Sequence, residues 1–247
     1  MKSPNRILER IRNGKKALGL AMQYPYEQMV EAAARMGLDF ISLDGQHGVI
    51  SPTDVETICR IADGFGVTPA MRVPDQEEST LFMYLDRGMK MITVPNVRSA
   101  EEASKLVKYC FYGPVGRRSA TSQRVIFSSG GDATDPRNFF NFTNENTIVV
   151  PQLESITAFE NLEEILEVDG IDYFAGGPLD IAQSMGHHGQ PNHPACVEAF
   201  EEACQKVRDA GKHMISDVTS SVDVFAAVHD GVKAMLASHG RESELMC

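Results

Sequence analysis

Ile148-Val-Val-Pro-Gln-Leu-Glu-Ser155 and Asp172-Tyr-Phe-Ala-Gly-Gly-Pro-Leu-Asp180 are the two stretches that decide the fold of this chain. Each carries a short apolar run without polar alternation, the pattern of a strand buried on both faces of a parallel sheet. Each delivers an acid just past that run: Glu154 in the first, Asp180 in the second. Parallel strands end on the same side, so both acids emerge together. Two carboxylates at adjacent strand ends form an oxygen-ligand set for a hard divalent cation. Gly176, Gly177 and Pro178 lead into a helix at Asp180, whose free N-terminal N–H groups suit an anion. Taken singly, Asp180 reads equally as a helix cap and Glu154 as a solvated loop acid. Taken as a pair beside a helix start, they point to a metal-chelated carboxylate substrate.

Outward from these two strands the same alternation continues. Apolar strand candidates are Leu18–Met22, Phe40–Leu43, Thr68–Val73, Met91–Val94, Ile148–Leu153, Tyr173–Ala175, His213–Ser216 and Ala234–Ala237. Helical patterns between them cover Tyr26–Met36, Thr53–Phe65, Glu78–Arg87, Ser99–Tyr109, Ile156–Leu166, Ala195–Ala210 and Ser221–His229. Ser51-Pro52-Thr53-Asp54 starts one helix, and Gly37, Gly211 and Gly231 are read as following the ends of others. Eight strand–helix repeats predict an α/β fold, a single (β/α)8 TIM barrel with its active site at the C-terminal strand ends. Residues 1–247 are read as one domain. Only 111–146 interrupts the rhythm, as a long irregular loop rich in Gly, Ser and Asn. After Ala237 ten residues remain, too few for an eighth helix on this reading.

The chain has 247 residues, 43% hydrophobic and 23% charged, with a formal net charge of -11. The acidic balance disfavours nucleic acid or an anionic membrane as partner, and no stretch approaches the roughly 20 apolar residues of a membrane span. The start, Met1-Lys-Ser-Pro-Asn-Arg-Ile-Leu, lacks the apolar run of a secretory signal. Five scattered cysteines, without a C-x-x-C, read as reduced thiols in a cytoplasmic protein. His187, His188 and His193 lie in a loop without i, i+4 spacing and are read as solvated. No G-x-G-x-x-G or Walker-type loop supports a nucleotide, and no interior strand ends on a Schiff-base lysine.

At the expected barrel mouth the strand ends gather Asp44 and His47, Arg72, Glu154 and Asp180. Arg72 sits in Ala70-Met-Arg-Val-Pro74, where a strand interior prefers an apolar side chain. Together with Leu43-Asp-Gly-Gln-His-Gly48, Leu85-Asp-Arg-Gly88 running into Met91-Ile-Thr-Val-Pro-Asn-Val97, and Gly113-Pro-Val-Gly-Arg-Arg-Ser119, these motifs resemble the HpcH/HpaI family of class II pyruvate aldolases. The ordered set spans roughly Arg6 to Ala237.

The resemblance implies a role for each matching position. Glu154 and Asp180 match the metal ligands, for Mg2+, Mn2+ or Co2+. Arg72, Gly177, Leu179, Asp180 and Gln152 match substrate-binding positions, with the backbone N–H groups of Leu179 and Asp180 on the pyruvate carboxylate. Arg72 also matches the arginine on the keto or enolate oxygen. His47 matches the catalytic histidine, Asp86 its carboxylate partner, and Asp44 an acid near the same histidine. Asp86 falls in the last turn of its helix, where a negative charge opposes the macrodipole and calls for a compensating partner. Three departures stand out: Gln46 where the family has an acid, an unusual Gln123–Phe142, and a short C-terminus. The implied activity is metal-dependent cleavage or formation of 4-hydroxy-2-oxo acids from pyruvate and an aldehyde. Oxaloacetate decarboxylation or another 2-oxo-acid lyase reaction is the alternative, and a non-catalytic 2-oxo-acid binding protein a reading from another class. The family's assembly is a homo-oligomer, often a hexamer.

Overall fold

The computed structural model describes residues 3–120, 126 and 135–242. Parts of the irregular segment at 121–125 and 127–134, and Cys247, lie outside the described residues. Eight parallel strands form one curled sheet: β1 Ala17–Met22, β2 Phe40–Asp44, β3 Thr68–Arg72, β4 Met91–Val94, β5 Ile148–Leu153, β6 Tyr173–Gly176, β7 His213–Met214 and β8 Thr219–Asp223. Their order is β7-β6-β5-β4-β3-β2-β1-β8, so the strands follow chain order except that β8 comes round to pair with β1. β7 and β8 are the two ends of this half-barrel.

Helices pack on the outside because their apolar faces complete a core with the strands. Val55, Ile58, Cys59 and Ala62 of the helix Pro52–Phe65 are fully buried, and Ser51 and Asp54 close its start with a reciprocal capping box. A second, smaller cluster takes Ala17, Phe40, Ala70, Met91, Ile148, Val150 and Ala175 from β1 to β6 and packs them on Ile7 of the N-terminal helix Arg6–Arg12. That helix is fixed by Asn5, whose side chain caps it and donates to the carbonyls of Lys90 and Asn146.

Strand register sets up the opposite end. Asp44 stands beside Arg72, Arg72 beside Thr93, and Leu153 beside Gly176. The next residues along β5 and β6 are therefore Glu154 and Gly177, which emerge side by side. The structure thus realises the parallel sheet, with the acids together at its C-terminal edge.

The last third of the fold departs from expectation. Ala234–Ala237 is not the eighth strand; it lies within the helix Val224–Ser238, and Gly231 lies inside that helix rather than after one. The eighth strand is Thr219–Asp223, and part of the expected helix Ser221–His229 belongs to it. An apolar run of this length satisfies helical hydrogen bonding internally, whereas Thr-Ser-Ser-Val-Asp, a polar strand, pairs only with β1. An eighth helix is therefore present. β7 is cut to two residues by the helical turn Ile215–Val218. Ile156–Leu166 divides into two short helices at Asn161, and the irregular segment contains the helix Pro136–Glu145. No described helix is long and apolar enough to cross a membrane.

Candidate active site

Glu154 is the buried centre of the strand-end constellation, at 5% exposure. Its Oε1 accepts the backbone N–H of Asn96 at 2.7 Å, and its Oε2 accepts Nε2 of Gln152 at 3.0 Å. Burial, with the Asp180 charge adding to it, pushes the Glu154 carboxyl up, despite the opposing Asn96 N–H and Arg72. Asp180 occupies the exposed first turn of the helix Pro178–Ser184. Gly177, the residue before that helix, leaves the space between the two carboxylates open. A Cβ there would collide with Oε2 of Glu154 and lie 3.4 Å from Oδ2 of Asp180. The two carboxylates thus converge on one small cradle that a side chain would fill.

Two like charges converging with one of them buried are stable together only with a compensating cation or proton. Both donors are hard oxygens, and the buried Oε1 of the adjacent Gln152 has no hydrogen-bond partner. The donor set fits a hard divalent cation. It does not fit a soft one.

Arg72 forms the second half of the site. Its Nε and Nη2 grip the two oxygens of Asp44 at 3.0 and 2.5 Å, a bidentate fork that fixes the guanidinium plane. Asp44 also accepts the backbone N–H groups of Gln46 and His47 at 3.0 and 3.2 Å. Burial raises the Asp44 carboxyl, but Arg72 and these two N–H groups outweigh it and hold the group below its ordinary value. One carboxylate therefore positions both Arg72 and the turn carrying His47. The His47 side chain is exposed.

Asp86 stands apart from that arrangement. Its Oδ1 pairs at 2.8 Å with Arg118, whose side chain is 1% exposed and lies over the ring of Tyr112. The compensation expected for an acid at a helix C-terminus is this arginine. No hydrogen bond joins Asp86 to His47, and Oδ2 of Asp86 makes none with the described residues.

A cavity of 340 Å³ opens over the carboxylates, lined by Gln46, Asn96, Arg98, Glu154, Thr157 and Asp180 among others. Asn96 and Arg98 were not among the residues expected there. The available signal was Pro95-Asn96 directly after β4: asparagine tolerates the left-handed backbone region, and Asn96 has φ 57°. Larger grooves, of 580 and 560 Å³, lie against the helices Ala100–Cys110 and Pro194–Asp209 and collect none of the expected catalytic residues.

The histidine-rich loop is also more ordered than a solvated loop. His187 and His193 are half-buried and stack at 3.6 Å between ring centroids, with Cys196 close enough for the three ligand atoms to lie within 4.8 Å. His188 is exposed. His193 caps the helix Pro194–Asp209, its Nδ1 accepting the N–H of Ala195.

Residues 21–244 match the family described as HpcH/HpaI aldolase/citrate lyase. A hydroxypyruvate/pyruvate aldolase of Pseudomonas aeruginosa is 32% identical over 84% of this chain and 76% of its own length. A 4-hydroxy-2-oxovalerate aldolase of Rhodococcus jostii is 34% identical over 86% of this chain and 81% of its own. The crystal structure of an HpcH/HpaI aldolase from Desulfitobacterium hafniense superposes with a TM-score of 0.85 at 20% identity, covering 97% of this chain and 98% of that one.

Proposed function

We propose that this chain, which belongs to the HpcH/HpaI aldolase/citrate lyase family, is a metal-dependent carbon–carbon lyase that cleaves or forms 4-hydroxy-2-oxo acids. The observation that carries this reading is the convergence of Glu154 and Asp180 on Gly177 beside the Arg72–Asp44 fork. Pyruvate and an aldehyde are the products of cleavage.

Glu154 and Asp180 would hold the divalent cation, Mg2+, Mn2+ or Co2+. When bound, it would supply Lewis-acid polarisation of the 2-oxo group. The N–H groups of Leu179 and Asp180, in the first turn after Gly177, receive the substrate carboxylate. Gln152, through its unpartnered Oε1, completes the polar wall. Arg72 donates to the 2-oxo oxygen as negative charge develops there, a preorganised oxyanion donor. Its plane is already set by Asp44, so little reorganisation accompanies the reaction.

His47 takes the proton of the 4-hydroxyl. The C3–C4 bond breaks, its electron pair passes to C3 and the aldehyde leaves. Protonation of the resulting enolate at C3 gives the methyl group of pyruvate. Asp86 is proposed to orient His47 through Oδ2 while Oδ1 stays with Arg118.

The same carboxylates and Arg72 would serve oxaloacetate decarboxylation, which generates the same enolate; a protein that only binds 2-oxo acids would need no proton acceptor at His47. Residues 1–247 are read as one domain whose barrel closes between β7 and β8. A homo-oligomer is supported by the apolar surface of β8 and the helix Val224–Ser238, where Val222, Phe225, Val228 and Met235 are each more than half exposed; a hexamer is what the family resemblance implies. Four described cysteines are buried, in keeping with a cytoplasmic protein.

The test is pyruvate release from a 4-hydroxy-2-oxo acid, measured with a coupled assay before and after chelation. Loss on chelation and recovery with Mg2+, Mn2+ or Co2+ is expected. Undiminished cleavage after exhaustive metal removal would overturn the reading.

A further inference from the structure

Arg98 lies on the loop after β4, at the wall of the 340 Å³ cavity that contains Glu154 and Asp180. It is fixed at three points. Its backbone N–H donates to Glu102 at 2.7 Å, its carbonyl accepts Asn161 at 2.9 Å, and its Nε donates to Oδ1 of Asn96 at 2.8 Å. Asn96 is in turn pinned, since its backbone N–H holds Glu154 and its carbonyl accepts Gln76. One edge of the guanidinium is therefore tied to the residue that holds the proposed metal ligand.

The other edge is free. Both terminal nitrogens of Arg98 lack an acceptor among the described residues, and Arg98 forms no ion pair there, although the chain carries 34 acidic side chains against 23 basic. Glu102 spends its carboxylate on the backbone N–H rather than on the guanidinium. Among the described residues of the cavity wall, Glu154 and Asp180 are the only acids, and Gln46 supplies a neutral amide where an acid would have added negative charge. A tethered arginine with an open fork selects a carboxylate or similar planar anion by two parallel N–H donors.

We propose that Arg98 binds an anionic group on the second substrate, so that the preferred aldehydes carry a carboxylate. This rests on the aldolase reading above. Pyruvate's own carboxylate is assigned to the N–H groups of Leu179 and Asp180, which leaves Arg98 for the other end of the 4-hydroxy-2-oxo acid. Relatives of this chain that bear different substrate names could then differ at this wall without any change in the chemistry at Glu154, Asp180 and Arg72.

The experiment compares addition of pyruvate to succinic semialdehyde and to butanal, which match in carbon count and differ in charge. The quantity read is the ratio of kcat/KM for the charged aldehyde over the neutral one. Wild type should show a ratio well above one. Arg98→Met should lower it by roughly 10- to 100-fold, the scale of a charge-assisted hydrogen bond. Arg98→Lys should fall between, as a point charge without the fork. Calorimetric binding of succinate gives a second reading that needs no turnover: wild type should bind it more tightly than Arg98→Met, and the difference should shrink with added salt. An equal ratio and equal succinate affinity in wild type and Arg98→Met would overturn the proposal. Turnover of neither aldehyde nor oxaloacetate, with the succinate difference intact, would instead overturn the aldolase reading and leave Arg98 as an anion site.

Discussion

Oε1 of Glu154 accepts the backbone N–H of Asn96 at 2.7 Å, and Asn96 is the one described non-glycine residue with a positive φ. The left-handed φ redirects the chain beyond Asn96, at the same residue whose N–H holds the acid of the neighbouring strand end. Local strain is thereby placed at the site where a buried carboxylate must be aimed. Asn96→Ala should cost roughly 1 kcal/mol of stability, since alanine lacks asparagine's tolerance of this region, and Asn96→Gly should cost less. Denaturant unfolding of the two variants measures the order; an alanine variant as stable as the glycine one would contradict it.

Glu154→Gln should separate folding from metal binding. The amide keeps an acceptor for Asn96, and the unpartnered Oε1 of Gln152 can turn to receive the new NH2 group. Removing a buried charge whose carboxyl burial already pushes up should leave the metal-free protein at least as stable as wild type. Cation-induced stabilisation, by contrast, should vanish. Thermal unfolding in chelator and in excess Mn2+ checks both halves. A variant that still gains stability from Mn2+ would place the ion elsewhere.

Arg72→Lys should lose on the order of 10²-fold in turnover, the scale of removing an oxyanion donor. Lysine cannot reproduce the two bonds to Asp44 and one donor to substrate from a single plane. Steady-state kinetics decides the point; near-wild-type kcat would take Arg72 out of the reaction.

The Asp44 carboxyl is held below its ordinary value in the fold, which fixes the sign of a pH effect. A depressed folded value contributes stability that is present above the unfolded value of 3.8 and is lost as pH falls through the lower folded value. Asp44→Asn should therefore be less stable than wild type near neutrality, and the two melting temperatures should approach one another in acid. A gap that widens on acidification would contradict the Arg72–Asp44 pairing as its source.

Strands with neighbours on both sides were legible because burial on two faces demands apolar runs. β8 was not, since a polar edge strand paired with β1 alone carries no such demand, while the apolar run at Ala234–Ala237 belongs to an exposed helix. Register explains why Asp44, Arg72, Glu154 and Gly177 could be placed from sequence: the first two end their strands and the last two follow theirs directly. Asn96 and Arg98 could not be assigned that way, because their positions depend on a backbone conformation and on hydrogen bonds across the β4 loop. Asp86 shows the other limit. Its need for a cation was readable from the helix end, but that the cation is Arg118, 32 residues on, follows only from the fold.

The Arg118–Asp86 pair also sharpens the test of His47. His47→Ala should reduce aldol cleavage by roughly 10²- to 10⁴-fold, the usual contribution of a general base, while sparing more of oxaloacetate decarboxylation, which needs no hydroxyl proton removed. Asp86→Asn acts on two partners at once. It should weaken the orientation of His47 and leave the buried Arg118 guanidinium without its counter-charge, so a stability loss is expected alongside a smaller selective loss of cleavage. Asp86→Asn combined with Arg118→Met removes the stranded charge, and part of the stability should return without the cleavage. Measuring melting temperature, cleavage and decarboxylation across the three variants separates the roles. If the double variant regains cleavage with its stability, Asp86 serves only to pair Arg118, and the orientation of His47 must come from elsewhere.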